Sequence, residues 1–285
     1  MSLPSLARRL DELLDLLRDI GREQMAIRDR ARALTKGEGD PATAWQRNDV
    51  VSDADLRSER RLVTFFRAEL GFRSILAEES HLGSIADDGE PVVVIDPLDG
   101  TRVYLSGGDG FGISIGVLQE GRFRFAVNYY PADAGLLYAF EEDGCVRDGS
   151  NRPVPAGSGT ATGCYLSEGF LDELAPEHRD AAALERRTGL TILDRPRSAT
   201  FNFRAMIAGE LGAYLSEDMP LWDFGPSSLL LEKSDFAVSS LSGGRSIDFA
   251  ALLRAPFRLP RLAVAPRSRM PALERALDAV LSRDA

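Results

Sequence analysis

Two aspartates close together follow an apolar run in residues 92–104, VVVIDPLDGTRVY. The run predicts a buried strand that ends at Asp96, and Pro97 should stop that strand from continuing in the middle of a sheet. Asp99 follows three residues later, and Gly100 can adopt the positive φ of a tight turn. Two neighbouring carboxylates repel each other unless a cation lies between them, and hard oxygen ligands suit Mg²⁺ better than zinc. The segment therefore indicates a divalent-cation site.

Other residues stand where they could serve the same site. Thr101 adds a hydroxyl and a backbone N–H directly after the aspartate pair. Four further acids flank predicted elements: Asp49, Glu78, Glu79 and Asp223. Taken singly, each of these acids is more typical of a solvated or helix-capping carboxylate, because the chain has 44 acidic residues.

The amino-terminal half is predicted to contain helices followed by a sheet. Leucines at three- and four-residue spacing predict a long amphipathic helix at the start of the chain. Ser52 is expected to cap a second helix that runs to Leu70, with Asp53 and Asp55 in its first turn, where the helix dipole favours negative charge. Short β-branched runs between residues 74 and 140 then predict a mostly antiparallel sheet.

The carboxy-terminal half has a different pattern. After a segment rich in Gly, Ser and Pro at residues 149–163, strands and helices are predicted to alternate. Residues 1–150 are therefore predicted to form an α+β subdomain that carries the metal site. Residues 151–285 are predicted to form an α/β subdomain that completes the active site.

Composition and charge exclude several functions. The chain has 34 basic and 44 acidic residues and a net charge of −10, which disfavours nucleic acid as a partner. No apolar run approaches the roughly 20 residues that span a bilayer, and the amino terminus does not resemble a signal peptide. Cys145 and Cys164 lack a metal-binding or redox spacing, so they are expected to be free thiols in a reducing cytoplasm.

Three motifs together resemble a known family. DPLDGT at residues 96–101, AEES at 77–80 and LWD at 221–223 have the order and intervals of the inositol monophosphatase family, and the similarity covers nearly the whole chain. Members of that family are Mg²⁺-dependent, lithium-sensitive phosphatases. The resemblance implies a layered αβαβα sandwich of the inositol monophosphatase and fructose bisphosphatase type, which is commonly dimeric. It also implies a homodimer that acts on a small phosphorylated metabolite.

The resemblance also implies roles for particular residues. Two or three Mg²⁺ ions would be held by Glu78, Asp96, the Leu98 carbonyl, Asp99 and Asp223. Thr101 would hydrogen-bond the attacking water, and Glu78 and Asp49 would orient or deprotonate it. Phosphate or substrate would contact Asp99, Gly100, Thr101 and Ser198. For Ser198 an ordinary helix N-cap is an equally good interpretation.

The physiological substrate is left open by departures from the family pattern. After Asp223 the chain reads FGPSS, whereas the family usually has small residues and a Glu-Ala-Gly-Gly turn at this point. Pro226 is expected to fit in the first turn of a helix. Inositol monophosphate is the first expectation, with a 3'(2'),5'-bisphosphate nucleotidase, a fructose-1,6-bisphosphatase and a histidinol phosphatase as alternatives. A non-catalytic phosphate- or metal-binding regulatory protein is the alternative of a different class.

Overall fold

The computed structural model describes residues 3–31, 33–35, 50–80, 85, 89–167, 169–174, 178–194, 197–242, 246–254 and 256–281. No helix in these ranges combines the length and the apolarity needed to cross a bilayer.

The first helical layer consists of α1 (Leu3–Arg8), α2 (Leu10–Ile27) and α3 (Asp53–Thr64). The single long helix predicted at the amino terminus is interrupted at Arg9, whose φ of −114° and ψ of 22° are not helical. Ser52 caps α3 as predicted. The helix then continues as a wider turn over Phe65–Glu69, close to the predicted end at Leu70. A short antiparallel pair, β1 (Ala33–Thr35) and β2 (Val50–Ser52), precedes α3.

The first sheet has six strands in chain order. They are β3 (Ser74–Ala77), β4 (Val92–Asp99), β5 (Gly112–Gln119), β6 (Arg122–Tyr130), β7 (Gly135–Phe140) and β8 (Arg147–Asp148). β3 runs parallel to β4, and every other neighbouring pair is antiparallel, in agreement with the predicted mostly antiparallel sheet. The short helix α4 (Thr101–Leu105) lies between β4 and β5.

The second sheet has the order β10-β9-β11-β13-β12. Its strands are β9 (Gly163–Leu166), β10 (Thr191–Ile192), β11 (Ala213–Ser216), β12 (Phe236–Ser240) and β13 (Leu262–Pro266). The helices of this half are α5 (Ala181–Thr188), α6 (Ala199–Ile207), α7 (Leu221–Lys233) and α8 (Met270–Asp278). α7 begins six residues before the helix predicted near Ser227, so Asp223 lies within its first turn.

Buried side chains divide into layers that confirm the αβαβα sandwich. One face of the first sheet packs on α2 and α3, and this core contains Leu17, Leu62 and Ile95. The opposite face packs on α6 and α7, which also cover the second sheet. α5 and α8 cover the outer face of the second sheet around Leu184 and Leu273. The helical layer formed by α6 and α7 therefore joins the two sheets.

Candidate active site

The two aspartates of the DPLDGT motif lie at an irregular end of β4. Asp96 pairs with Ser114 of β5 and Asp99 pairs with Gly112, and the register shifts between them. The prediction that Pro97 ends the strand is wrong, because β4 continues to Asp99 through this bulge. The irregularity accommodates the missing N–H of proline, and the Leu98 N–H donates to Oδ1 of Asp96 at 3.0 Å.

Asp96 occupies a strongly acidic environment. Its side chain is only 1% exposed. Burial raises the pKa of Asp96, and the nearby carboxyl groups of Glu78, Asp99 and Asp223 raise it further. Glu78 is brought there by the parallel pairing of β3 with β4, and its backbone N–H donates to the Ile95 carbonyl at 3.1 Å. Acids from both halves of the chain therefore meet at the end of β4.

Asp99 is bound to the start of α6. Its Oδ2 accepts hydrogen bonds from the Thr200 N–H at 2.6 Å and from Thr200 Oγ1 at 2.5 Å. The Ala199 N–H donates to Oδ1 at 3.4 Å. Burial raises the pKa of Asp99, while the bonds from Thr200 and Ser198 act in the opposite direction. Asp99 thus connects the motif of the first sheet to a helix of the second half.

Ser198 is the N-cap of α6. Its side chain accepts a hydrogen bond from the Phe201 N–H at 3.2 Å, as in the ordinary capping role considered for this residue. The Ser198 N–H donates to the Gly110 carbonyl at 2.8 Å. Gly100 has a φ of +94°, and a Cβ at this position would lie 2.7 Å from the Ser198 Cβ. Glycine at position 100 therefore allows α6 to approach the motif closely.

Thr101 forms a hydrogen-bonded pair that the sequence did not reveal. Its Oγ1 lies 2.9 Å from Oδ1 of Asp55 and 3.3 Å from the Leu98 carbonyl. The other Asp55 oxygen accepts from the Ser52 N–H at 2.8 Å and from the Ser52 hydroxyl, which completes a capping box at the start of α3. Burial, with a contribution from the Glu78 charge, raises the pKa of Asp55 to about 6.

Asp55 is the acid that the structure places beside Thr101. Asp49, predicted to act on the water, lies outside the described residues. In the sequence Asp55 was interpreted only as an acid favoured by the helix dipole. The spacing of Ser52 and Asp55 matches a capping box with Asp in place of the usual Glu, but such a box is common at surface helices and carries no functional signal.

Asp223 enters the site from α7. It lies in the first turn of this helix, and the preceding Leu221 N–H is bound to the Phe257 carbonyl at 2.8 Å. Pro226 lies in the second turn of α7, so the prediction of a first-turn proline is wrong. Proline has no N–H to donate within the helix. Of the other predicted acids, Glu79 lies beside α3, where its N–H donates to Oε2 of Glu59 at 2.7 Å.

A buried polar row extends behind Asp96 across the sheet. Ser114 faces Asp96 in the register of β4 and β5, and Asn128 faces Ser114 in the register of β5 and β6. Asn128 Nδ2 donates to Oγ of Ser227 at 2.8 Å. All four side chains are at most 1% exposed. Because Ser227 is one turn from Asp223 on α7, this hydrogen bond holds the helix that carries Asp223 against the first sheet.

The donor set suits a hard divalent cation. The acids around Asp96 supply only oxygen atoms, and burial together with their mutual repulsion raises the pKa of Asp96. A bound cation would relieve this repulsion. In the part of the chain that the structure describes, no three acidic, histidine or cysteine side chains already converge as a metal-ligand set. The carboxylates are near enough to interact electrostatically, but they do not already form a three-ligand set.

Most of the chain is similar to proteins of one family. A fructose-1,6-bisphosphatase/inositol-1-monophosphatase of Thermotoga maritima is 26% identical over 243 residues, which cover 85% of this chain and 88% of the relative. The Nus factor SuhB of Salmonella typhimurium is 28% identical over 215 residues, covering 70% and 74% of the two chains.

The fold is shared with solved structures at lower identity. A crystal structure of an IMPase/NADP phosphatase complexed with Mg²⁺ and phosphate superposes with a TM-score of 0.76 and 14% identity, and the match covers 97% of this chain and 98% of that one. The model of the inositol monophosphatase family matches residues 10–270. With its αβαβα layers and the acids gathered at the end of β4, this chain belongs to the inositol monophosphatase family.

Proposed function

We propose that the chain is a Mg²⁺-dependent phosphomonoesterase that hydrolyses a small phosphorylated alcohol with an activated water. The observation that carries this proposal is the meeting of Glu78, Asp96 and Asp223 beside a threonine hydroxyl bound to a buried acid. Membership of a phosphatase family and a relative named as a phosphatase support the same chemistry.

The metal would be held by Glu78, Asp96, Asp99, Asp223 and the carbonyl of Leu98. Mg²⁺ bound there would lower the pKa of a bound water and place positive charge beside the phosphate oxygens. The acidic side chains of the site can provide neither effect. The family implies two or three such ions, and we retain that number as part of the proposal. Asp99 would coordinate the ion while its Oδ2 still accepts the hydrogen bond from the Thr200 N–H.

Thr101 and Asp55 determine how the attacking water is held. The Thr101 hydroxyl donates a hydrogen bond to Oδ1 of Asp55, so its oxygen can accept a hydrogen bond from water but cannot donate one to it. A water that donates to Thr101 Oγ1 has a lone pair directed away from the threonine, toward the phosphorus. Asp55 keeps the hydroxyl in this orientation and can take up a proton, since its pKa is raised to about 6.

Backbone groups of the motif would hold the phosphate. Gly100 and Thr101 open the short helix α4, and their N–H groups are the donors that we assign to phosphate oxygens. Ser198, the N-cap of α6, would contact the substrate at the other side of Asp99. Inositol monophosphate is the alcohol phosphate that we favour within the class.

The test is release of inorganic phosphate from a panel of esters, with and without Mg²⁺. The panel contains inositol 1-phosphate, fructose 1,6-bisphosphate, adenosine 3',5'-bisphosphate and histidinol phosphate. We expect Mg²⁺-dependent turnover of at least one ester and its loss in Asp96→Asn, whose near-ultraviolet circular dichroism should match that of the unaltered protein. Near-normal activity of Asp96→Asn would contradict the assignment.

A non-catalytic regulatory protein is the second candidate. It is favoured by the altered segment after Asp223, where Pro226 interrupts the hydrogen bonds of α7, and by the relatives named Nus factor SuhB. Binding of Mg²⁺ and of the esters in calorimetric titrations, without phosphate release from any ester, would support this second function.

A further inference from the structure

Gln24 is a buried amide on a helix whose other buried side chains are apolar. It lies on α2 and is only 1% exposed. Over the whole length of α2, which the structure describes, the other buried residues are Leu13, Leu14, Leu17, Ile20 and Gly21. A buried amide lowers stability unless hydrogen bonds compensate for the water it has lost. The contacts of Gln24 therefore show what this polar group does.

The Gln24 amide donates to two buried acceptors. Nε2 donates to the Pro97 carbonyl at 2.9 Å and to Oγ of Ser58 at 3.0 Å. The Ser58 hydroxyl gives its own hydrogen bond to the Ala54 carbonyl at 2.7 Å, so it acts toward Gln24 only as an acceptor. Because both neighbours are acceptors, the NH₂ end of the amide must be the end that faces Pro97. Oε1 has no hydrogen-bond partner among the described residues, so the two donated bonds are what the amide contributes.

The Pro97 carbonyl belongs to the peptide unit that also holds Asp96. The carbonyl oxygen of this unit comes from Pro97 and its N–H from Leu98, and the N–H donates to Oδ1 of Asp96 at 3.0 Å. A peptide unit is planar and rigid, so the direction of its carbonyl fixes the direction of its N–H. The hydrogen bond from Gln24 to Pro97 therefore restrains the N–H that holds the Asp96 carboxylate.

The backbone of Gln24 is itself fixed against the other end of the motif. Its carbonyl accepts a hydrogen bond from the Tyr104 hydroxyl at 2.7 Å. Tyr104 is fully buried, lies on the short helix α4 that begins at Thr101, and packs edge-on against Phe111 with 5.1 Å between the ring centres. The Gln24 side chain thus reaches Pro97 from a backbone position that α4 holds in place.

We propose that Gln24 is a positioning residue for the metal ligands of the DPLDGT motif. It holds the peptide unit between Pro97 and Leu98 in the orientation that Asp96 and the Leu98 carbonyl need to bind the ion. This role rests on the proposed Mg²⁺-dependent function, and it adds α2 to the elements that build the site. Removing a group that hydrogen-bonds to the surroundings of metal ligands typically lowers metal affinity by about 10- to 100-fold.

The test compares two variants that differ in the contact they spare. Gln24→Met keeps the length of the side chain and removes both hydrogen bonds of the amide. Ser58→Ala is the matched control, because it removes the contact with α3 and leaves the bond to Pro97. Mg²⁺ binding is measured by calorimetric titration without substrate. Deuterium exchange of the Leu98 amide hydrogen is measured by NMR without Mg²⁺.

Gln24→Met should raise the Kd for Mg²⁺ by at least about tenfold and should accelerate exchange of the Leu98 N–H, because the peptide unit is no longer held. At saturating Mg²⁺ its kcat should change much less, since the same ligands surround the ion once it is bound. Ser58→Ala should resemble the unaltered protein in both measurements. Near-ultraviolet circular dichroism checks that the variants fold, and Gln24→Leu takes the place of Gln24→Met if the latter does not.

The outcomes separate this positioning role from the proposed function. An unchanged Kd for Mg²⁺ in Gln24→Met would overturn the role, and so would an equal rise in Ser58→Ala, because packing of α2 on α3 would then explain the effect. Mg²⁺ binding that depends on Gln24 but is accompanied by no phosphate release from any ester would support the role and contradict the phosphatase function. Phosphate release with the same Mg²⁺ dependence in Gln24→Met and the unaltered protein would do the reverse. An unaltered protein that binds no Mg²⁺ would contradict both.

Discussion

Oγ1 of Thr101 and Oδ1 of Asp55 lie 2.9 Å apart, although 46 residues separate them in the chain. The contact joins the start of α3 to the end of β4. In this contact the threonine hydroxyl donates its hydrogen bond to the carboxylate, so the threonine oxygen can act toward water only as an acceptor. The orientation of the attacking water in the proposed mechanism depends on this pair.

Asp55→Asn should lower kcat by about 100-fold or more, because the amide can donate to Thr101 and reverse the direction of the hydrogen bond. KM should change less, since Asp55 is not among the proposed phosphate ligands. Asp53→Asn is the control, because Asp53 is nearby and partly exposed and lies 3.7 Å from Arg57. Steady-state phosphate release measures both variants. Equal kcat values for the two would contradict the role of Asp55.

The raised pKa of Asp55 predicts a pH dependence of stability. A carboxyl whose pKa is raised on folding contributes stability below its ordinary pKa, and this contribution is lost as the pH rises through the raised value. For Asp55 the window runs from about pH 4 to about 6, and the shift corresponds to about 3 kcal/mol. Urea unfolding without Mg²⁺ is measured at several pH values in this window. As the pH rises, the free energy of unfolding should fall more steeply for the unaltered protein than for Asp55→Asn. Parallel curves across this window would contradict the prediction.

Gly100→Ala should be more damaging than Gly107→Ala. Both glycines have positive φ, +94° and +80°, so both substitutions strain the backbone by about 1 kcal/mol. Only at position 100 would the new Cβ meet a neighbour, the Ser198 Cβ at 2.7 Å, while nothing lies within 4 Å at position 107. We expect Gly100→Ala to lose activity and at least 1 kcal/mol more stability than Gly107→Ala. Similar unfolding curves for the two variants would exclude the close approach of α6.

Asn128 and Ser227 should be coupled in stability. Ser227→Ala leaves the buried Asn128 amide without its 2.8 Å partner, which should cost about 1–3 kcal/mol. In the double variant Asn128→Leu with Ser227→Ala no polar group is left unpaired at this contact, so the loss should be smaller than the sum of the single losses. Chemical denaturation of the four proteins gives the coupling energy, and strict additivity would show that the bond does not hold α7.

The two cysteines should differ in reactivity. Both are free, as the sequence predicted, with Cys145 partly exposed and Cys164 1% exposed. Burial raises the pKa of the Cys164 thiol, which suppresses the reactive thiolate. A thiol reagent should modify Cys145 in the native protein and both cysteines in urea. Rapid modification of Cys164 in the native state would contradict its burial between the second sheet and helices α5 and α8.

Local patterns predicted the order of helices and strands and the close pair Asp96 and Asp99, whereas the layered sandwich and the roles of Glu78 and Asp223 followed from the family resemblance. Apolar spacing gave the alternation of elements, and the DPLDGT motif placed two acids at the end of one strand. The Asp55 contact with Thr101 and the Thr200 contact with Asp99 depend on how distant elements pack, which residue spacing does not encode. The continuation of β4 past Pro97 was missed because a bulge can accommodate a proline that a regular ladder excludes.

The most direct test of the central claim is the rate of phosphate release as a function of Mg²⁺ concentration in the unaltered protein and in Asp223→Asn. Asp223 comes from the second half of the chain, so its effect shows whether both halves form one metal-dependent site. We predict saturable activation by Mg²⁺ in the unaltered protein and a requirement for at least tenfold more Mg²⁺ in the variant. Phosphate release that is independent of Mg²⁺, or identical activation curves for the two proteins, would contradict the account.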